Sequence, residues 1–210
     1  MVYNRKNMSN RTATNWVRAG FAAWLTFELL NWVGILHFTL DFSWLGLFLT
    51  VTVLWVAIEI VSWRLRKAGL ESLPWPAYLA GLIGTSWDAL GDVARLYTRI
   101  YHYDKIAHFM GGGAAALVVF FLYRQLQRSG KLQLPPPLVA FLAICTANFI
   151  GVLYELEEFS ETYTLKNNRM GDAFDTSTDV LFNLLGAITL VSIVAYVLYR
   201  KKRTSLPPHV

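Results

Sequence analysis

The sequence predicts an all-α, polytopic six-helix transmembrane bundle with both termini cytoplasmic. Three observations carry this. Of 210 residues, 55% are hydrophobic and 16% charged, whereas soluble domains average about 45–50% and about 25%. Six apolar stretches approach the roughly 20 residues that a crossing helix needs. Finally, Lys and Arg gather on alternate connections, and such residues are retained on the cytoplasmic side. The formal charge of +5 therefore marks an oriented membrane protein and not a nucleic-acid binder. Cys145 is the single cysteine, so neither an internal disulfide nor a thiolate metal site can be built.

The expected spans are approximately 16–38, 46–63, 76–97, 105–123, 136–158 and 176–199, in a single integral domain covering 1–210. The first is a full-length apolar run without an A-x-A-like exit, so it reads as a retained signal anchor. Turn chemistry at Asp41 to Ser43 separates it from the second, which ends at Arg64 to Lys67 and Pro74. The third runs from Pro76 to Tyr97, and the fourth from Lys105 to Tyr123. Arg128 to Pro137 leads into the fifth, and the sixth ends at the basic tail Arg200 to Arg203. Trp87, Tyr97, Tyr101 and Tyr103 at one interface, and Trp63, Trp75, Tyr196 and Tyr199 at the other, read as aromatic belts.

With this topology fourteen of the 19 Lys and Arg face the cytoplasm and five, namely Arg95, Arg99, Lys105, Lys166 and Arg169, face outward. The acids are distributed the other way. Eleven of 14 fall on or near the outer side: Asp41, Asp88, Asp92, Asp104, Glu155, Glu157, Glu158, Glu161, Asp172, Asp175 and Asp179. Five cations against eleven acids leave the outer half at −6, while fourteen against Glu59 and Glu71 leave the cytoplasmic side at +12.

Residues three and four apart share a helix face. Gly81, Thr85, Asp88, Asp92 and Arg95 thus form one stripe on the third helix, and Asp104, His108, Gly111 and Ala115 one on the fourth. Asn148, Gly151, Glu155 and Glu158 follow on the fifth, and Asp172, Asp175, Asp179, Asn183 and Gly186 on the sixth. Small residues let membrane helices approach closely, so four polar faces are expected to meet near their outer ends. An acid at the bilayer centre costs about 2.5–3.5 kcal/mol and usually faces a bundle interior or aqueous cavity. Several carboxylates in one partly dry pocket require protons or a cation, and inward carboxylates with a His are one way to build a metal site.

The expected first ligands are His108, Glu155, Glu158, Asp175 and Asp179. Asp88, Asp92, Asp104, Asp172 and Asn183 are expected around them or toward a substrate, with Arg95 and Lys105 as neutralising cations. One imidazole with carboxylates fits Mg²⁺, Mn²⁺, Zn²⁺ or Fe²⁺ better than a soft metal. A bound divalent ion would activate water, with Glu158 or Asp88 as general base.

Simpler roles compete for several of these residues. Asp104 and Asp172 or Asp175 also suit helix N-caps, and Glu157 and Glu161 suit solvated interface charges. Glu28 with Asn31 suits an interhelical hydrogen bond, and Glu59 a position beside Arg64. Asp179 resists such a reading, because it lies inside the helix one turn beyond Asp175.

The segments Y-D-K-I-A-H-F-M-G-G (Tyr103 to Gly112), Y-E-L-E-E-F (Tyr154 to Phe159) and G-D-A-F-D-T-S-T-D (Gly171 to Asp179) resemble, in order and spacing, those of the YjdF-like bacterial inner-membrane proteins. The first is also similar to a helix start in VanZ-like proteins. The resemblance implies an inner-membrane location and a site containing Asp104, His108, Glu155, Glu158, Asp172, Asp175 and Asp179, without implying a reaction. Gly171, Asp175 and Asp179 match only the tail of the CDP-alcohol phosphatidyltransferase signature.

Three functions follow as expectations. The first is a metal-dependent hydrolase or transferase acting on a lipid or lipid-linked headgroup at the outer leaflet. The second is a cation or proton transporter, which needs a polar midplane path; Ala114 to Phe121 and Ala187 to Tyr196 are almost wholly apolar and only Glu28 offers a foothold. The third is an accessory protein whose metal ties helices together. Membrane lipids are the expected surroundings.

Overall fold

Each of the six apolar runs forms helix over most of its length in the computed structural model, which describes residues 2–40, 43–165 and 171–204. The helices are α1 (Val2–Trp32), α2 (Trp44–Lys67), α3 (Trp75–Val93), the short α4 (Leu96–Arg99), α5 (Tyr103–Arg128), α6 (Pro136–Leu165) and α7 (Ala173–Thr204). No strand occurs among the described residues. Asp41, Lys166 and Arg169 lie outside them, as do the side chains of Glu161 and of Lys201 to Arg203.

Local chemistry sets the boundaries. Ser43 Oγ accepts from the Gly46 N–H at 3.0 Å and caps α2, satisfying one orphan donor of the first turn. Gly69 and Gly130, at φ 72° and 74°, close α2 and α5 in the left-handed region, where a Cβ is disfavoured. α1 stops at Trp32, short of the expected Phe38. Asn31 explains this: its Oδ1 accepts from Phe38 N–H at 3.1 Å while its Nδ2 donates to the Phe27 carbonyl. The chain is thus folded back over its own helix end, where an interhelical bond was expected from Glu28 and Asn31. α3 likewise stops at Val93, because Arg95 turns left-handed at φ 56°. Arg95 therefore does not continue the stripe of Asp88 and Asp92.

The helices form two triplets. α1, α2 and α3 enclose Phe21, Val51, Ile58, Ala77 and Tyr78, while α5, α6 and α7 enclose Ala116, Phe120, Val139, Ala143 and Val191. Contact between α3 and α5 joins the triplets. α5 and α7 run parallel, since Lys105 meets Asp179 and, further along both helices, Gly113 meets Leu190. α3 runs opposite to α5, with Gly91 under Tyr103 and Gly84 against Ala114.

Outward, large apolar side chains such as Val53 and Ile60 of α2, Phe149 and Leu156 of α6, and Ile188 and Ile193 of α7 are exposed. Faces of this kind belong in lipid, since a soluble monomer rarely exposes contiguous apolar surface on such a scale. α2, α5, residues Pro136–Thr164 of α6 and Ala173–Arg200 of α7 are each long and apolar enough to cross a membrane. α1 and α3 do not reach the same apolarity. For α3 the reason is position: Ala77, Ala80, Gly81, Gly84, Thr85, Ala89, Gly91 and Asp92 are buried against its neighbours. A helix screened from lipid can carry small and polar residues.

At the end opposite the acidic cluster, Arg18 grips Glu59 with two bonds, Nε to Oε1 at 2.6 Å and Nη2 to Oε2 at 2.7 Å. Tyr78 OH lies 3.3 Å from the same carboxylate and 2.9 Å from Ser62 Oγ. Glu59 therefore ties α1 to α2 and α3, instead of standing beside Arg64. Its forked geometry matches a guanidinium to a carboxylate.

Candidate metal centre

The parallel pair α5 and α7 brings their first turns together. Gly112 lies against the Asn183 backbone, Gly113 against Leu190 and Gly186, and Gly186 against the Phe109 carbonyl. A side chain at any of these positions would hold the helices apart, which is why small residues accompany the polar stripe. α6 completes the wall, with Gly151 facing the Asn183 side chain.

Within this wall His108 is the hub. Its Nε2 lies 3.5 Å from Asp104 Oδ1 and 3.4 Å from Asp179 Oδ1. Its Nδ1 lies 3.7 Å from Glu155 Oε1 and 3.3 Å from Asn183 Nδ2. Donor atoms of Asp104, His108 and Asp179 lie within 4.8 Å of one another. Asp104 was expected further out, yet it stands one turn before His108 and shares this cluster. The Glu155 carboxylate is buried, and neither of its oxygens has a hydrogen-bond partner.

Lys105 supplies the positive charge. Its Nζ donates to Asp104 Oδ2 at 2.8 Å, Asp175 Oδ1 at 2.5 Å and Asp179 Oδ1 at 2.6 Å. The side chains grade from rim to interior, at 40% exposed for Asp175 and 38% for Asp104 but 9% for His108 and 4% for Asp179.

The remaining nominated residues are placed as follows. Asp175 contacts Lys105, and its own N–H donates to Asp172 Oδ1 at 2.9 Å. Asp172 is thus the N-cap of α7. Glu158 is buried on α6, one turn beyond Glu155. Asp92 is fully enclosed on α3. Asp88 accepts the Tyr97 hydroxyl at 2.5 Å, and Glu28 of α1 is fully buried. Arg95 occupies the break between α3 and α4.

Tyr97 and Tyr103 were expected in an interfacial belt. Instead Tyr103 is buried, donates to the Trp87 carbonyl at 2.8 Å and stacks on the Trp87 ring at 6.4 Å. Tyr97 packs edge-on against Tyr103 at 5.1 Å. Gly91 is the signal that could have revealed this, because only a residue without a side chain leaves space for both rings. Tyr101, by contrast, is 92% exposed.

An all-helical, multi-pass membrane protein with an acid–histidine cluster at one end of its bundle is the class these features define. Residues 19–201 match the family described as Predicted membrane protein (DUF2238), and the chain belongs to that family. An uncharacterised protein of Thermotoga maritima is 32% identical over 114 residues, covering 54% of this chain and 56% of the relative. The inner membrane protein YjdF of Escherichia coli is 34% identical over 99 residues, covering 44% of this chain and 46% of the relative. The chain spans about half the length of these curated relatives. No solved structure matches.

Proposed function

We propose that the protein is a divalent-metal-dependent membrane enzyme, a hydrolase or transferase acting on a lipid or lipid-linked headgroup. One observation carries this reading: the converging donors of Asp104, His108 and Asp179 beside the buried carboxylate of Glu155, whose oxygens have no hydrogen-bond partner. Charge balance supports it. Asp104, Asp175, Asp179 and Glu155 bring four negative charges, and Lys105 supplies one positive charge, while His108 ligates as the neutral imidazole. One divalent ion offsets two of the remaining three. An imidazole with carboxylate oxygens suits Mg²⁺, Mn²⁺, Zn²⁺ or Fe²⁺.

The proposed ligands are Asp104, His108, Asp179 and Glu155, with Asn183 orienting the imidazole through Nδ1. When bound, such an ion lowers the pKa of a coordinated water and polarises an ester or phosphoryl oxygen. Glu158, buried on α6 one turn beyond Glu155, is the proposed proton acceptor. Asp175 and Asp104 form the accessible rim through which a headgroup enters. In the proposed topology six helices cross the membrane, both termini are cytoplasmic and the site faces outward, where headgroups of the outer leaflet are within reach.

Metal analysis of detergent-purified protein tests the site. Stoichiometric divalent metal in the wild type, lost in His108→Ala and Asp179→Asn, is the expected result. A content near zero in all three removes the reading. A lipidome comparison of strains with and without the gene then tests the enzyme. Ion passage is the second reading, favoured by Glu28, whose two carboxylate oxygens are enclosed without hydrogen-bond partners; ion flux in proteoliposomes tests it.

A further inference from the structure

We infer that Lys105 is a tethered counter-ion that occupies the metal position and is displaced onto Asp175 when a divalent ion enters. The inference rests on the metal reading proposed above and concerns how that same site is regulated. Its basis is a conflict over two carboxylates. The Lys105 ammonium lies 2.8 Å from Asp104 and 2.6 Å from Asp179, the two acids that also converge on His108. Asp179 Oδ1 faces both Lys105 Nζ and His108 Nε2. A metal bound through that oxygen would sit about 2.0–2.2 Å from it, leaving two cations crowded on one atom. They repel strongly in a partly dry pocket, so ammonium and metal exclude each other there.

The displaced ammonium has a place to go. Two of its contacts involve neither shared acid: Asp175 Oδ1 at 2.5 Å and the Asp175 carbonyl at 3.4 Å. Asp175 stands at the rim and is 40% exposed, so withdrawal toward it moves the charge outward along the flexible lysine stem. Glu155 supplies the independent observation, a buried carboxylate that faces the same imidazole and that Lys105 does not reach. Its carboxylate is 6% exposed, lies 3.7 Å from His108 Nδ1, and has no hydrogen-bond partner. Lys105 makes its contacts with Asp104, Asp175 and Asp179 and leaves Glu155 unanswered.

Two measurements test this. The first is equilibrium dialysis of Mn²⁺ and Zn²⁺ against wild type and Lys105→Met in detergent. If the lysine-free state is no more than about a tenth of the population, removing the lysine tightens apparent binding about tenfold or more. The second uses the wild type alone, so it stands even where the variant fails to fold. Lys105 is labelled with an amine-reactive ester, with and without metal, and read by mass spectrometry. Labelling that rises with metal supports displacement, as does a variant that binds metal where the wild type does not. If the wild type binds metal while labelling stays flat or falls and Lys105→Met binds no tighter, the inference is overturned and the site survives. If neither protein binds metal and labelling is unaffected, both the site and the inference fail.

Discussion

Two adjacent glycines on α5 should respond to the same substitution in opposite directions. An ideal Cβ on Gly112 would lie 2.5 Å from the Asn183 carbonyl oxygen and 2.6 Å from its Cα. Ordinary carbon contacts begin near about 3.5 Å, so Gly112→Ala drives α5 and α7 apart by about 1 Å, against a backbone that cannot rotate away. On Gly111 a Cβ would meet nothing within 4 Å. Replacing glycine by alanine inside a helix is worth up to about 1 kcal/mol, and this gain is common to both variants. It cancels in their difference, leaving the overpacking cost of about 1–3 kcal/mol. At about 2–4 °C per kcal/mol for a chain of this size, Gly112→Ala should melt roughly 2–12 °C below Gly111→Ala in detergent. Metal content should separate them too. Asn183 is the residue displaced, it contacts His108 Nδ1, and a metal shell tolerates only about 0.2 Å. If Gly112→Ala is as stable as Gly111→Ala, the close packing of α5 on α7 is refuted.

Three further substitutions separate structural from functional charges, each read by thermal unfolding in detergent. Asp172→Ala should cost about 1 kcal/mol and Asp172→Asn only a few tenths, because either Asp or Asn can cap α7; equal losses would mean that charge, not capping, matters there. Arg95→Gly should be more stable than Arg95→Ala by about 1 kcal/mol, since both remove the guanidinium and only glycine adopts φ 56° without the penalty of a Cβ. Equal stability of the two would refute the strained turn. Glu28→Met should stabilise by about 1–3 kcal/mol, because it removes a buried acid whose oxygens lack hydrogen-bond partners; a destabilised variant would refute that description of Glu28.

Much of this was legible in the chain because periodicity reports which side chains share a face. Asp104 and His108, like Asp175 and Asp179, are one turn apart, so each pair had to lie along one side of its helix. What periodicity cannot report is where a helix stops for reasons outside its face. Arg95 follows Asp92 at helical spacing, and neither glycine nor proline interrupts the run. Only its left-handed turn removes it from the stripe. Nor does spacing identify partners distant in sequence: Glu59 is 41 residues from Arg18. Asp175 and Asp179 share one helix face and were expected as ligands alike, yet one is exposed at the rim and the other is buried beside His108. The difference arises because one turn of helix carries the chain from the mouth of the bundle into its interior.

The location of the cluster follows from the parallel α5–α7 pair. Both helices begin at the same end, with Asp104 in the first turn of α5 and Asp175 in the first turn of α7. Two converging helix starts each present unpaired N–H groups and the positive end of a dipole, which favours nearby carboxylates. The dipole effect falls off within a turn, so it helps Asp104 and Asp175 more than the deeper Asp179. That deeper charge is the one Lys105 reaches over to meet. α6 runs the other way and contributes Glu155 from its far half, without the support of a helix start. Glu155 is therefore the carboxylate that neither a helix start nor the lysine serves, which leaves His108 Nδ1, at 3.7 Å, as the group that faces it.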